Sequence, residues 1–144
     1  MPKFSDSKIL PYTQKQMFDL VAKVEEYPNF LPWCLDAVVT HRTETQVAAD
    51  LVIGWKLIRE KFTSHVHLQA PAAITVEYQD GPFQYLHNEW RFTAQGKKQT
   101  EIDFMVDFEF RSPLMNTIMG PLFIPAVHKM IEAFEKRAED LYGQ

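Results

Sequence analysis

Residues 100–110 read TEIDFMVDFEF, and no other stretch limits the fold as strongly. Ile102, Phe104, Val106, Phe108 and Phe110 fall on one alternation, Glu101, Asp103, Asp107 and Glu109 on the other, and Met105 breaks it. Side chains point to opposite faces of a strand with a period of two, so this is a long strand with one apolar face and one acidic, wet face. The rings of Phe104, Phe108 and Phe110 on one face call for a thick apolar partner, and the chain supplies one downstream. A long helix is expected from about 121–125 to 142. Its stripe is Phe123, Val127, Met130, Ile131, Phe134, Ala138 and Leu141, with Lys129, Glu132, Lys136, Arg137 and Glu139 opposite. The sheet should curve around this helix, with an apolar ligand between them.

The rest of the chain agrees. A short strand over 3–10 precedes a helix running to about 24. Thr13 is its N-cap, Gln16 completes a capping box, and Met17, Phe18, Leu20, Val21 and Val24 form its apolar stripe. Pro28 and Pro32 prevent one regular helix over 27–34, so a short helix or pair of turns lays rings over one end of the sheet. Strands are expected over 36–41, 46–56, 59–69, 72–79 and 84–94, joined by short turns such as Asp80-Gly81-Pro82. With 100–110 they form an antiparallel meander, and the first strand pairs with the last to make seven. Ser112 and Pro113 start the C-terminal segment as N-cap and N1, and Pro121 and Pro125 break or kink the helix downstream of them. The expected fold is α+β, one domain over 1–144. A curved seven-stranded antiparallel sheet wraps a long C-terminal helix in a helix-grip, with two short helices after strand 1.

The inward candidates are Phe62, Tyr78, Leu86, Trp90, Phe92, Phe104, Val106, Phe108, Phe123, Met130 and Phe134. They either pack on one another or line a cavity. Asn88 and the Tyr78 hydroxyl are the polar groups on that wall. A buried amide costs about 1–3 kcal/mol unless hydrogen-bonded, so Asn88 either meets a backbone group or reads a ligand carbonyl.

Other chemistry is thinly represented. A formal net charge of −4 argues against DNA as a partner. The single cysteine, Cys34, excludes an internal disulfide and reads as a packed thiol. His65 and His67 share the outer face of their strand, with no cluster at ligand spacing to complete a metal site. The carboxylates of Asp103, Asp107 and Glu109 also point outward, which leaves no paired acid and base on the inner wall. No catalytic residue and no required cofactor are expected. The N-terminus carries no secretory h-region and no run approaches the roughly 18 apolar residues of a membrane span, so a cytoplasmic protein is expected. Lys56, Arg59 and Lys61 cluster at one turn, and Lys97 and Lys98 at a turn at the opposite end of the sheet. The first group suits a reversible touch on anionic lipid.

Four segments carry a resemblance: YPNFLPWC at 27–34, GPFQYLHNEWRF at 81–92, FEFRSPL at 108–114 and AFEKRAEDLYG at 133–143. In order and together they resemble the coenzyme-Q-binding protein family of the START-like, polyketide-cyclase-like superfamily. The resemblance covers nearly the whole chain and implies a helix-grip fold. It also implies that ubiquinone or a related polyprenyl lipid binds in the cavity, in support of respiratory electron transport, at or near the inner face of a membrane. Bacterial relatives include a ribosome-association toxin, so inhibition of translation through a ribosomal subunit is the alternative. Mitochondrial members carry a transit segment, whereas this chain starts almost at its first strand, which favours a bacterial origin. Phe30 and Trp33 could close one mouth of the cavity, and MGPLFIP at 119–125 could be an opposing gate or a rigid bend.

Overall fold

The computed structural model describes residues 3–31, 33–55, 58–79, 81 and 83–143. Strand β1 (Lys3–Leu10) leads into helix α1 (Gln14–Ala22) and a 3-10 segment, Val24–Asn29. Strands β2 (Cys34–Arg42), β3 (Gln46–Trp55), β4 (Ile58–Gln69), β5 (Ala73–Gln79), β6 (Phe83–Ala94) and β7 (Thr100–Phe110) come next. The chain closes with α2 (Pro113–Met119), a 3-10 turn over Gly120–Leu122, and α3 (Phe123–Tyr142).

The seven strands form one antiparallel sheet in the order β1-β7-β6-β5-β4-β3-β2. The first strand does pair with the last, with Phe4 opposite Val106 and Leu10 opposite Thr100. Register shifts in β2, between Cys34 and Asp36 and between Val39 and His41, mark irregularities of the kind that bend a strand and raise its twist. The turn from β6 to β7 places Gly96 at φ 99°, a conformation only glycine adopts without strain.

The helix ends reflect local chemistry. Thr13 accepts from the Gln16 N–H at 3.1 Å while the Gln16 side chain accepts from the Thr13 N–H at 2.9 Å, a complete capping box. Ser112 caps α2 by accepting from the Met115 N–H, with Pro113 at the first helical position. The prolines do break the C-terminal segment, since α2 stops and a 3-10 turn containing Pro121 intervenes. Pro125 falls in the first turn of α3, where a missing N–H costs no hydrogen bond.

α3 lies across the concave face of the sheet. Phe134 meets Trp90 at 5.0 Å between ring centres, His128 meets Phe4 at 5.4 Å, and Lys8 of β1 pairs with Glu135. At the C-terminal end Tyr142 meets Tyr12 at 6.1 Å. Two expectations for α3 need correction. Leu141 is 51% exposed, and the neighbouring Tyr142 takes the inward place. Arg137 is not on a free outer face: its guanidinium reaches Glu26 at 3.3 Å and lies 5.3 Å over the Phe30 ring. The 3-10 segment therefore bends back against α3, and Arg42 ties the same segment to β2 through two bonds to Glu25.

Candidate functional site

The register of the meander builds the inner wall. Leu86 faces Phe108, Asn88 faces Val106, Trp90 faces Phe104 and Phe92 faces Ile102 across β6 and β7. On β5, Ile74 lies opposite Trp90 and Val76 opposite Asn88, and Tyr78 lies opposite Ser64 of β4. Phe62 completes the wall from β4, with its ring 6.2 Å from that of Tyr78.

The wall divides into two halves. Toward the β6–β7 turn it is sealed: Trp90, Phe92, Ile102 and Phe104 are all buried, and so are Phe18 and Met17 of α1 and Phe134 of α3. Trp90 stacks beside Phe92 and meets Phe104 at 4.7 Å. Between these residues, β1 and α3 there is a cavity of only about 30 Å³, lined among others by Leu10, Trp90, Ile102, Phe104, Ile131 and Phe134. That is far below the roughly 150 Å³ of an apolar cavity that takes up a benzene ring.

Toward the other end the wall opens. Leu86, Val106 and Phe108 point to the same concave face as the buried residues, yet each is only partly buried. Tyr78 on β5, Phe4 on β1 and Met130 on α3 are likewise partly exposed. This is the end where β2, β4 and β6 begin and β3, β5 and β7 finish. A continuous run of rings floors it, with Phe83 lying 5.3 Å from Tyr78, 5.4 Å from Phe62, 5.7 Å from Phe108 and 5.0 Å from Phe110.

The two polar candidates part company. Asn88 is spent on structure: its amide donates to the Met105 carbonyl at 2.8 Å and its oxygen accepts from the Trp90 indole at 2.9 Å. It meets the backbone and fixes the Trp90 ring, which uses one of its two N–H donors and one lone pair of its oxygen. Among the described residues the buried Tyr78 hydroxyl finds no hydrogen-bond partner, and neither does the Trp33 indole nitrogen. Trp33 sits between the 3-10 segment and β2, where its carbonyl accepts from the Gly54 N–H at 2.9 Å.

Of the predicted inner residues, Phe62, Trp90, Phe92, Phe104 and Phe134 are brought together in the buried core, and Tyr78, Leu86, Val106, Phe108 and Met130 pack against it and are partly buried. The Phe123 side chain lies outside the described residues, as does Lys56. Phe83 and Phe110, both buried, are the inner rings missing from the predicted set. Phe110 is legible from its parity with Phe108. Phe83 is obscured by the Asp80-Gly81-Pro82 turn signal and by the register shift between Phe83 and Tyr85.

Cys34 is buried, which pushes its thiol up to about 11, and its Sγ lies 3.6 Å from the Asp36 carbonyl. The outer face is polar, with Tyr85 reaching Asp107 and His87 lying between Glu77 and Glu89. Burial opposes charging of His87, but the two carboxylates outweigh it and raise its pKa. Among the described residues no group of three or more His, Cys, Asp or Glu is arranged to hold a metal ion. Among those residues no helix is long and apolar enough to cross a membrane.

Comparison with known proteins matches this architecture. The family described as polyketide cyclase/dehydrase and lipid transport matches residues 10–135. The ribosome association toxin RatA of Pseudomonas aeruginosa is 38% identical over 95% of this chain and 95% of its own. The Coenzyme Q-binding protein COQ10 homolog B of Xenopus laevis is 33% identical over 99% of this chain and 60% of its own. The solution structure of the 18 kDa protein CC1736 from Caulobacter crescentus superposes with a TM-score of 0.79 at 35% identity, covering 100% of both chains. More distant likenesses speak to the fold alone. A START superfamily protein of Mycobacterium smegmatis gives 0.82 at 19% identity over 96% of this chain and 98% of its own. The Zhui aromatase/cyclase of Streptomyces gives 0.84 at 13% identity over 96% and 93%. Matched by that family over residues 10–135, and by relatives 33–38% identical over nearly its whole length, the chain belongs to the polyketide cyclase/dehydrase and lipid transport family.

Proposed function

We propose that the chain is a single START-like lipid-binding domain that takes a polyprenyl quinone, ubiquinone or a related apolar lipid, into the space between sheet and α3. It acts as a chaperone or carrier in support of respiratory electron transport, without a catalytic step and without a required cofactor. One observation carries the reading: the inward-facing Leu86, Val106 and Phe108 keep part of their apolar surface uncovered, although Trp90, Phe92, Ile102 and Phe104 of the same two strands are buried. Small-molecule sites are mostly apolar and concave, with a few polar groups, and this half of the interior has that composition. The name of the Xenopus laevis relative supports coenzyme Q as the ligand class.

Loading from a membrane surface fits the same end of the molecule. Leu114, Ile118 and Ile124 of α2 and α3 are 67%, 46% and 43% exposed. Exposed Arg111 comes directly after β7, and exposed Arg59 and Lys61 begin β4 at that same end of the sheet. Apolar side chains flanked by cations suit a peripheral contact with anionic lipid at the inner membrane face.

The test is organic extraction of the purified protein, then mass spectrometry of the lipid fraction. The reading predicts a quinone near one per chain, and its loss from a folded Val106→Trp variant that fills the open half. An empty extract, with no uptake of added quinone, contradicts it. The alternative is translation inhibition through a ribosomal subunit, supported by the ribosome association toxin names of several relatives. It predicts ribosomal material rather than lipid on co-purification, and unchanged co-purification in the Val106→Trp variant.

A further inference from the structure

We propose that the Tyr78 hydroxyl is the polar recognition group of the interior site, held open for an acceptor oxygen on a carbonyl-bearing apolar ligand of the quinone class. This rests on the lipid-binding reading above and goes beyond it by naming the group that reads the headgroup.

The chain pairs its other interior polar groups with care. The Tyr27 hydroxyl donates to the Val21 carbonyl at 2.5 Å, the Thr100 hydroxyl to the Tyr12 carbonyl at 2.8 Å, and the Trp90 indole to Asn88. Tyr78 Oη and Trp33 Nε1 are the exceptions among the described residues: both are buried and neither has a partner. Burying a donor without an acceptor is costly, so such groups in a folded protein ask for an explanation, and an absent ligand is one.

The chemistry of Tyr78 restricts that ligand. Its O–H, with no acceptor among the described residues, calls for an acceptor atom on the ligand. A hydrocarbon cannot supply one. The rings around Tyr78 are apolar, Phe62 at 6.2 Å and Phe83 at 5.3 Å between centres, so the acceptor must arrive on an otherwise apolar molecule.

The Tyr78 donor is also held in place. A Cβ built on Gly81 would fall 2.5 Å from Phe62 Cβ and 2.9 Å from Tyr78 Cε2, so the Gly81 backbone lies close against the Phe62 side chain and the Tyr78 ring. A ring clamped by a turn and two neighbouring rings presents its hydroxyl at a fixed place, and that pre-organisation lowers the ordering cost of binding. Phe83 links this ring to Phe108, where the inner wall is partly uncovered.

The test titrates the whole protein and a Tyr78→Phe variant with a short-tailed benzoquinone, and separately with an alkylbenzene of equal tail length that lacks the oxygens. Thermal unfolding of both ligand-free proteins is measured alongside. Tyr78→Phe keeps the ring and removes the donor. The expected result is roughly 10-fold weaker quinone binding, unchanged alkylbenzene binding, and a ligand-free midpoint equal to or above that of the parent. If the parent binds the quinone and Tyr78→Phe binds it equally well, the recognition role is overturned while the interior site stands. If Tyr78→Phe weakens both ligands alike and lowers the midpoint, Tyr78 is only a packing residue and the proposal also fails. If the parent takes up no quinone, the lipid-binding reading itself fails.

Discussion

At Asn88 a single amide settles what kind of wall the sheet presents. The parity of β6 places it among Leu86, Trp90 and Phe92, and this much is legible in the sequence. Its partners are not, because the Met105 carbonyl lies on a different strand and only the register brings it within 2.8 Å. The sequence therefore leaves backbone and ligand as choices, and the fold supplies the backbone partner. Asn88→Leu should destabilise the protein by about 1–3 kcal/mol in urea unfolding, because it strips the Trp90 indole of its acceptor inside the core. An unchanged midpoint would show that the amide is dispensable there. Tyr78 is the reverse case: its inward direction is legible, but its unpaired state depends on which neighbours surround the hydroxyl and cannot be read from spacing. Trp33 stands out in the sequence as a ring for closing a mouth, and the unpaired indole nitrogen is a property that no pattern in 27–34 could reveal.

At the scale of elements, periodicity reads well wherever one face is buried and the other wet. β7, α1 with its capping box, and the six-strand meander emerge from alternation, stripe and turn residues, and the strand ends differ from expectation by one or two residues. The segments that link them read less well. The 3-10 segment Val24–Asn29 is held by tertiary bonds, Glu25 to Arg42 and Glu26 to Arg137, that pair residues far apart in the chain. Arg137 is misread from pattern for the same reason, since a cation on a helix flank looks solvated until an acidic turn folds over it. α3 is fastened to the sheet chiefly through Phe134, which meets Trp90, Tyr27 and Phe30 at 5.0, 5.5 and 5.2 Å. Phe134→Ala should therefore cost about 3–5 kcal/mol, measured by chemical denaturation, by leaving a void where sheet, helix and 3-10 segment converge. A loss below about 1 kcal/mol would mean that the helix is seated elsewhere.

Across the whole molecule, the sheet and α3 are joined firmly at one end and loosely at the other. The sealed half, from Phe92 to Phe104, supplies the buried apolar surface that holds the helix in the grip. The half toward Phe108 leaves apolar surface of Leu86, Val106 and Phe108 partly exposed and contains the Tyr78 hydroxyl. Pattern alone offers no way to divide the two, because inward residues in both halves are equally apolar; the division depends on where α3 crosses the sheet. The most direct measurement is methyl NMR of the intact protein titrated with a short-tailed benzoquinone. The account predicts that methyl signals of Leu86, Val106 and Met130 shift together and show contacts to the quinone ring, while Ile74 and Val47, both 1% exposed, stay in place. Silence at Leu86, Val106 and Met130 up to saturating quinone, or shifts confined to the exposed Leu114, Ile118 and Ile124, would contradict an interior ligand site.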